Sequence, residues 1–359
     1  SMLTSIAVNG IAPYKQIITH GWVVDGEGKA MHKSLGNSIS PDEIVKKYGA
    51  ELVRLWAASS DYHADVRCSD NIFKQLSESY RKIRNTARIM MANLGDFNPD
   101  TDMVAYDDML EIDQWIVAET NKLVKLCREA YDEYEFHIVY HAINKFCTIE
   151  LSKLYIDITK DRLYVEKADS AARRSGQSAL YHVLNVITRL LAPVISFTAE
   201  EIWKYMPHAA EDRAESVFLN DMPIYSAAFA DETAALTSKW DKLFEYRDDV
   251  MKALELARAN KMIGKSLDAK VTVYANDDEA YETLTAFADK LAEVYITSQA
   301  TVIKGEAPEG AFTETQTGIA VLVENADGCK CGRCWSYSTE GVTDDEGGFL
   351  CERCRKLLI

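Results

Sequence analysis

Asp70-Asn71-Ile72-Phe73-Lys74-Gln75-Leu76-Ser77-Glu78-Ser79-Tyr80-Arg81-Lys82-Ile83-Arg84-Asn85-Thr86-Ala87-Arg88-Ile89-Met90-Met91-Ala92-Asn93-Leu94 decides the fold class. Ile72, Leu76, Tyr80, Ile83, Ala87 and Met90 recur at three- and four-residue steps, the period of one apolar helix face. The other face carries Lys74, Arg81, Lys82, Arg84 and Arg88 against Glu78 alone. A helix with one apolar face must bury it, and the partners lie downstream. Amphipathic patterns occupy 109–132, 135–163, 171–191 and 198–206, the last opened by Thr198 and Glu201 as a capping box. Such segments joined by short connections predict an antiparallel helical bundle.

Upstream, Gln16 to Val24 is β-rich and ends at the turn signal Asp25-Gly26-Glu27-Gly28, which predicts a strand or hairpin leading into an exposed loop. Ser40-Pro41-Asp42-Glu43 then reads as a helix start, with Ser40 as N-cap, Pro41 in the first turn, Glu43 as the capping-box return and Gly49 near the stop. Downstream, 207–230 holds Pro207 and Pro223 and reads as a connector, before a helix over 231–262 that stops at Gly264. Lys270–Tyr274 and Ile319–Val323 alternate as strands around a helix near 277–290, a small α+β unit. The fold class is therefore mainly α, a helical bundle with a small α+β unit and a cysteine-rich tail. Boundaries fall at 1–40, 41–95, 96–230, 231–324 and 325–359.

The chain has 359 residues, 47% hydrophobic and 27% charged, with 7 Pro and 17 Gly, which excludes a disordered or fibrous protein. Its net charge of −16 argues against nonspecific coating of nucleic acid, so any polyanion must be met by a local basic patch. No apolar run approaches the ~20 residues of a bilayer span. No membrane partner, a cytoplasmic location and a monomer are expected.

Of eight cysteines, five crowd the end of the chain. Cys331-x-x-Cys334, sixteen residues, and Cys351-x-x-Cys354 form two knuckles that aim four thiolates at one point. Zn²⁺, which has no geometric preference of its own, suits that all-sulfur tetrahedron. The expectation is one structural zinc in a ribbon or knuckle, closed to catalysis and supplying most of the tail's folding free energy. A redox dithiol is the competing reading. Cys329 is an extra thiol that can exchange with Cys331, while Cys68, Cys127 and Cys147 read as small buried hydrophobes. His137 and His141 stand i, i+4 like a zincin pair, but Ile138 occupies the general-base position, so packing or surface roles are expected. Asp248-Asp249 and Asp277-Asp278-Glu279 read as helix-start or surface charge.

Lys29-Ala30-Met31-His32-Lys33-Ser34-Leu35-Gly36-Asn37-Ser38 is a basic loop just before a helix and does not match a Walker loop. Read bare, it is either a solvated connector or a phosphate site with lysine as a point charge.

Ala12-Pro13-Tyr14-Lys15, His20 to Asp25 and Met31-His32-Lys33-Ser34-Leu35-Gly36-Asn37 together resemble the KMSKS segment of class I aminoacyl-tRNA synthetases, the isoleucyl family in particular. The resemblance continues through Leu55–Tyr62, Tyr80–Arg88, Lys160–Tyr164 and Phe197–Trp203 into the Cys331–Cys354 pattern. It implies a C-terminal portion of an isoleucine–tRNA ligase, with ATP (as its magnesium complex), isoleucine and isoleucine tRNA as the whole enzyme's substrates. Valyl or other aliphatic class I synthetases are the neighbouring alternative, and a noncatalytic zinc-ribbon adaptor for RNA or protein is the competing class.

In that family the loop closes over ATP, and its second lysine stabilises the phosphates. Lys33 matches it and is the catalytic candidate, with Met31, His32 and Ser34 beside it at the ATP. Ala30 replaces the family's first lysine and His32 its serine; Lys29 is placed to substitute in part. None of the seven histidines lies in His-x-Gly-His, the HIGH motif, so this stretch alone is expected to be inactive in adenylate formation and editing. The resemblance makes 1–40 the end of a catalytic domain, 41–95 stem-contact helices, 96–230 an anticodon-binding bundle, 231–324 a junction unit and 325–359 the zinc tail. Arg81, Lys82, Arg84 and Arg88, with Arg333, Trp335, Arg353 and Arg355 beside the knuckles, are the candidate tRNA contacts.

Overall fold

The computed structural model describes residues 1–212, 214–343 and 347–358; Arg213 of the expected bundle, and 344–346 and Ile359 of the expected tail, lie outside them. The first stretch is α1 (Met2–Asn9), which buries no residue, then β1 (Val23–Val24). The β-rich run from Gln16 forms only this last piece as strand, pairing in parallel with β2 (Val66–Arg67). The rest is held one bond at a time, as where the Gly21 N–H donates to Tyr62 O at 2.8 Å. A Cβ on Gly21 would sit 2.3 Å from Ala64 O, so the close approach requires glycine.

Between β1 and β2 come α2 (Pro41–Tyr48) and α3 (Ala50–Ser59). Ser40 holds the N-cap position with Pro41 following, but its side chain makes no capping bond. The long basic segment is α4 (Asp70–Asn93), capped by Ser69 Oγ accepting from the Ile72 N–H. Phe73, Leu76, Ile83, Ala87 and Met90 are buried along it, while Ile72 and Tyr80 pack at the edge of the stripe.

The helices that cover this stripe follow in order. They are α5 (Glu111–Asp132), α6 (Phe136–Phe146), α7 (Asp157–Val165), α8 (Ala171–Leu191), α9 (Ser196–Tyr205) and α10 (Ala227–Ala259). A π-helical stretch, Cys147–Ile156, joins α6 to α7. α5 packs on α6, α8 and α10, and α4 on α3, α8 and the π-helical stretch. Trp115, Trp203, Trp240 and Tyr155 are buried at the centre, as are Cys68, Cys127 and Cys147.

Two expectations fail here for one reason. α9 begins at Ser196, so Thr198 is inside its first turn and no capping box forms. The Glu51 carboxylate of α3 instead accepts from the Phe197 and Thr198 N–H groups, both at 3.1 Å. Asp249 is neither a helix start nor surface charge: it is buried within α10 and accepts from the Gln316 and Thr317 N–H groups, with burial opposing and these bonds lowering its pKa. In both cases a distant carboxylate satisfies backbone donors that local sequence leaves open.

The α+β unit contains β3 (Ala269–Ala275), α11 (Asp278–Thr285), α12 (Leu291–Tyr295), β4 (Gln299–Lys304) and β5 (Ala320–Asn325). Asp277 caps α11 through the Ala280 N–H. β3 is central, parallel to β4 and antiparallel to β5. The sequence reading has no counterpart to β4 or to α12, and its helix near 277–290 is α11, which ends at Thr285. The tail holds β6 (Cys329–Lys330), β7 (Tyr337–Ser338), β8 (Gly341–Thr343), β9 (Phe349–Cys351) and α13 (Glu352–Leu358), paired as β6–β7 and β8–β9. Among the described residues no helix is long and apolar enough to cross a membrane.

Candidate metal centre and basic surfaces

The turn between β6 and β7 holds Cys331 and Cys334. Trp335 closes it at φ 67°, left-handed for a non-glycine residue, and its N–H donates to Cys331 O at 3.0 Å. β9 delivers Cys351, and the first turn of α13 carries Cys354 to the same point. Two bonds clip the hairpins together: Gly332 N–H to Phe349 O at 2.9 Å, and Cys351 N–H to Cys331 Sγ at 3.4 Å. All four cysteines are buried, and their sulfurs lie within 4.8 Å of one another. Cys329 is exposed and outside the group.

This donor set fits a metal ion. Bonds of ~2.3 Å to a tetrahedral zinc put its sulfurs about 3.8 Å apart, and Cys334 Sγ stands 3.7 Å from Cys351 Sγ. Electrostatics agree. Burial opposes ionisation of Cys331, but N–H donation from Cys334, Cys351 and Arg333 overcomes it and brings the thiol to about 6. Cys334 and Cys354 are pushed up, by burial first and then by neighbouring sulfurs. Buried thiols this close resist ionising together, and a divalent cation removes that conflict.

The tail docks on α7. Arg333 Nη2 donates to Val165 O at 2.7 Å, Arg353 pairs with Asp161 at 2.6 Å, and Val165 packs against the cysteines. Arg355 folds back onto Glu352 through two bonds. Three of the tail's four candidate RNA contacts thus already have partners within the chain. Trp335 stays 59% exposed, with Lys265 Nζ over its ring at 5.7 Å.

The cations of α4 differ. Arg81, Lys82, Arg84 and Arg88 are all exposed, and their charged side chains form no ion pair or hydrogen bond with a described residue.

The basic loop is pinned at its base. Asn37 Nδ2 donates to Asp25 Oδ2 at 2.9 Å and to Ala30 O at 3.1 Å, and its Oδ1 accepts from the His32 N–H at 2.9 Å. Asp25 Oδ1 accepts from the Glu27 and Lys29 N–H groups. The bond from Asn37, then that from Lys29, holds the Asp25 carboxyl below its usual range. Lys33–Leu35 forms a single 3₁₀ turn ended by Gly36 at φ 68°. Lys33 and Ser34 are exposed and make no side-chain bond to a described residue, whereas Lys29 pairs with Glu27 at 2.7 Å. His32 is exposed and Met31 half-buried. The sequence reading passes over Asn37 as an anchor; an Asn after a glycine within reach of an Asp turn is the signal that finds it.

Known proteins resemble this chain along its whole length. Residues 113–273 match the anticodon-binding domain of tRNA ligases, and 1–69 the class I tRNA synthetases of the I, L, M and V group. Isoleucine–tRNA ligase of Syntrophotalea carbinolica is 48% identical over 358 residues, and that of Caldanaerobacter subterraneus subsp. tengcongensis 46% over 356. The match takes in 100% and 99% of this chain but 38% of each relative. Among solved structures, the LeuRS of Agrobacterium radiobacter K84, in ternary complex with tRNA and LeuAMS, superposes with a TM-score of 0.50 at 18% identity. It covers 64% of this chain and 26% of that one, a likeness of fold. Identity of 44–48% along the entire chain places it in the isoleucine–tRNA ligase family, where it corresponds to the C-terminal part of its relatives.

Proposed function

We propose that this chain is the tRNA-holding part of an isoleucine–tRNA ligase, in which α4 presents a basic face to the RNA backbone. The observation that carries the reading is the row Arg81, Lys82, Arg84 and Arg88, exposed and without partners among the described residues on a protein of net charge −16. The negative field of such a chain opposes a polyanion everywhere except over a local row of cations, so this face is where an RNA backbone can be met. α5 to α9 form the anticodon-side antiparallel bundle within 96–230, 231–324 with most of α10 the junction, and 325–359 a zinc ribbon. That ribbon is held to the bundle by Arg333 and Arg353, with Trp335 and Arg355 toward the RNA. Four sulfurs meeting at one point favour zinc over a redox dithiol, which needs two.

The test is salt-dependent binding of isoleucine tRNA. Exchanging all four α4 cations for glutamine is expected to weaken affinity and flatten the slope of log K against log salt by about three to four, near 0.9 per lost phosphate contact. An unchanged slope overturns the assignment of this face.

Lys33 belongs to the same reading. Asn37 and Asp25 fix both arms of its loop, leaving a free ammonium at the tip to meet the ATP phosphates, beside Met31, His32 and Ser34. A positioned cation matters most where charge develops on the departing pyrophosphate, and loss of such a group costs about 10²–10³ in rate. In the complete enzyme Lys33→Ala is expected to slow ATP–pyrophosphate exchange by that factor while tRNA affinity stays as it was. An unaltered exchange rate removes the role.

A further inference from the structure

Two histidines have no part in the tRNA and ATP readings, and the fold brings them to one carboxylate. Asp61-Tyr62-His63 lies in the loop after α3, Glu135 holds the N-cap position of α6, and His137 stands in that helix's first turn. α3 packs on α6, and Tyr62 Oη donates to Tyr134 O at 2.9 Å where Tyr134 turns the chain at φ 63°. The Tyr62 ring stacks on the His63 imidazole, centroids 4.5 Å apart. Asp61 Oδ1 accepts from the His63 N–H at 3.0 Å and lies 2.9 Å from its Nδ1. A carboxylate only accepts, so Nδ1 carries the ring proton and Nε2 keeps its lone pair. A carboxylate behind an imidazole in this way orients metal-binding histidines and raises their basicity. The free Nε2 faces Glu135 Oε1 at 4.0 Å. From the other side His137 Nδ1 lies 3.3 Å from Glu135 Oε2, buried and yet in no hydrogen bond.

Ligands ~2.0–2.1 Å from a tetrahedral ion stand about 3.3–3.4 Å apart, which is the His137–Glu135 spacing. The His63–Glu135 gap is wider, and the three ligands do not meet as closely as the four sulfurs do. His63 is the one free to move: its side chain is 52% exposed, and a turn of its ring closes the set. We infer that His63 Nε2, His137 Nδ1 and the Glu135 carboxylate bind a divalent transition-metal ion, zinc by the match of imidazole and carboxylate donors, with Asp61 supporting His63. Unlike the four-sulfur centre, this site has three protein ligands, leaves a position to water and lies near the surface, so its ion exchanges readily. His141, one turn beyond His137, is not needed to complete it. The ion ties the 61–63 loop to α6. The Gly21 N–H donates to Tyr62 O and the Trp22 N–H to Asp65 Oδ1 on the same loop, so an occupied site braces the strand leading to Lys33 against the helical body. The inference requires neither RNA nor ATP.

In the experiment the full chain, carrying its cysteine-bound zinc, is titrated with Zn²⁺ and separately with Co²⁺ in a non-coordinating buffer. The parent is expected to take up one further ion, which a mild chelator strips while the cysteine-bound zinc stays. Co²⁺ at the new site should give visible d–d bands without the ultraviolet charge-transfer band of cobalt bound to thiolates. His63→Gln and His137→Gln should each abolish the uptake, and Asp61→Asn should weaken it about 10–100-fold, the range for losing the group behind a metal-bound histidine. Helix content should be unchanged in all three; His63, on an exposed loop, keeps the test sound if His137→Gln disturbs α6. Cys331→Ser should leave the second ion in place, which separates failure of this site from failure of the sulfur centre. A parent that takes up no further ion overturns the site. So does uptake that persists in both histidine variants, the mark of adventitious surface binding, and parental affinity in Asp61→Asn overturns the part given to Asp61.

Discussion

Replacing Cys331 by serine is expected to remove stoichiometric zinc and, with it, the ordered structure of 329–343 and 347–358. Besides its cysteines, the tail's own apolar complement is Phe349, Leu350 and Leu357, packed on Val165 of the helical body. So few contacts cannot offset the conformational entropy of about thirty residues, which runs at ~1–2 kcal/mol each for the backbone alone. Metal ligation must supply the difference, and structural zinc sites of this kind provide about 10–16 kcal/mol at neutral pH. The helical body should be spared, because its core is a separate cluster that does not include the cysteines. Metal analysis with hydrogen exchange reads both halves. The parent should carry about one zinc per chain; Cys331→Ser or prolonged chelation should abolish protection in 329–343 and 347–358 while amides of 179–195 stay protected. A metal-free parent never exposed to chelator, or a serine variant with a protected tail, refutes the centre.

The loss has a further consequence. Arg333 and Arg353 would release Val165 O and Asp161, turning one half-buried cation and one exposed but paired cation into unpaired surface charges. Tight binding of tRNA by the metal-free chain, with a steeper salt dependence than the parent, would then reflect those freed charges and not a native surface.

What the sequence discloses follows from the range of the forces involved. The helices of 70–94 and 171–191 are legible because their burial repeats every three to four residues, and the cysteine quartet because ligand spacing is a local property of two turns. Three features are not legible because their partners are distant. β4 pairs beside β3 across a connection that holds α11 and α12, and Gln299–Lys304 has no buried position to mark it as a strand. The carboxylates of Glu51 and Asp249 act as backbone anchors 146 and 67 residues away. Arg333 and Arg353 read as free RNA contacts because nothing near them in the chain announces Val165 and Asp161. The α4 cations read the same way and do remain unpartnered among the described residues, since no acidic residue there packs over that face.

The second large effect is expected far from any RNA, at the salt bridge inside the helical body. Asp113 of α5 is fully buried and accepts from Arg162 at 3.0 and 2.6 Å, from Tyr155 Oη at 2.6 Å and from Ser175 Oγ at 2.5 Å. One carboxylate thereby ties α5 to the π-helical stretch, α7 and α8. Removing either ion strands the other in a medium that solvates it poorly, which costs about 3–5 kcal/mol. Arg162→Met should therefore destabilise the chain by that amount in urea unfolding, and Asp113→Asn by a similar one. Tyr155→Phe should cost less, about 1.5–3 kcal/mol, one hydrogen bond to a charge that keeps its other partners. The decisive variant is the double exchange Asp113→Val with Arg162→Met, which removes both charges and leaves apolar volume. Its destabilisation should be clearly smaller than the sum of the singles, with a coupling above about 2 kcal/mol. Additive losses would mean that Arg162 stabilises by packing alone. Because Asp161 and Val165 stand on the same helix as Arg162, the single charge deletion should also lower protection of 329–343 and 347–358 while zinc remains bound, coupling the bundle's interior to the metal tail through α7.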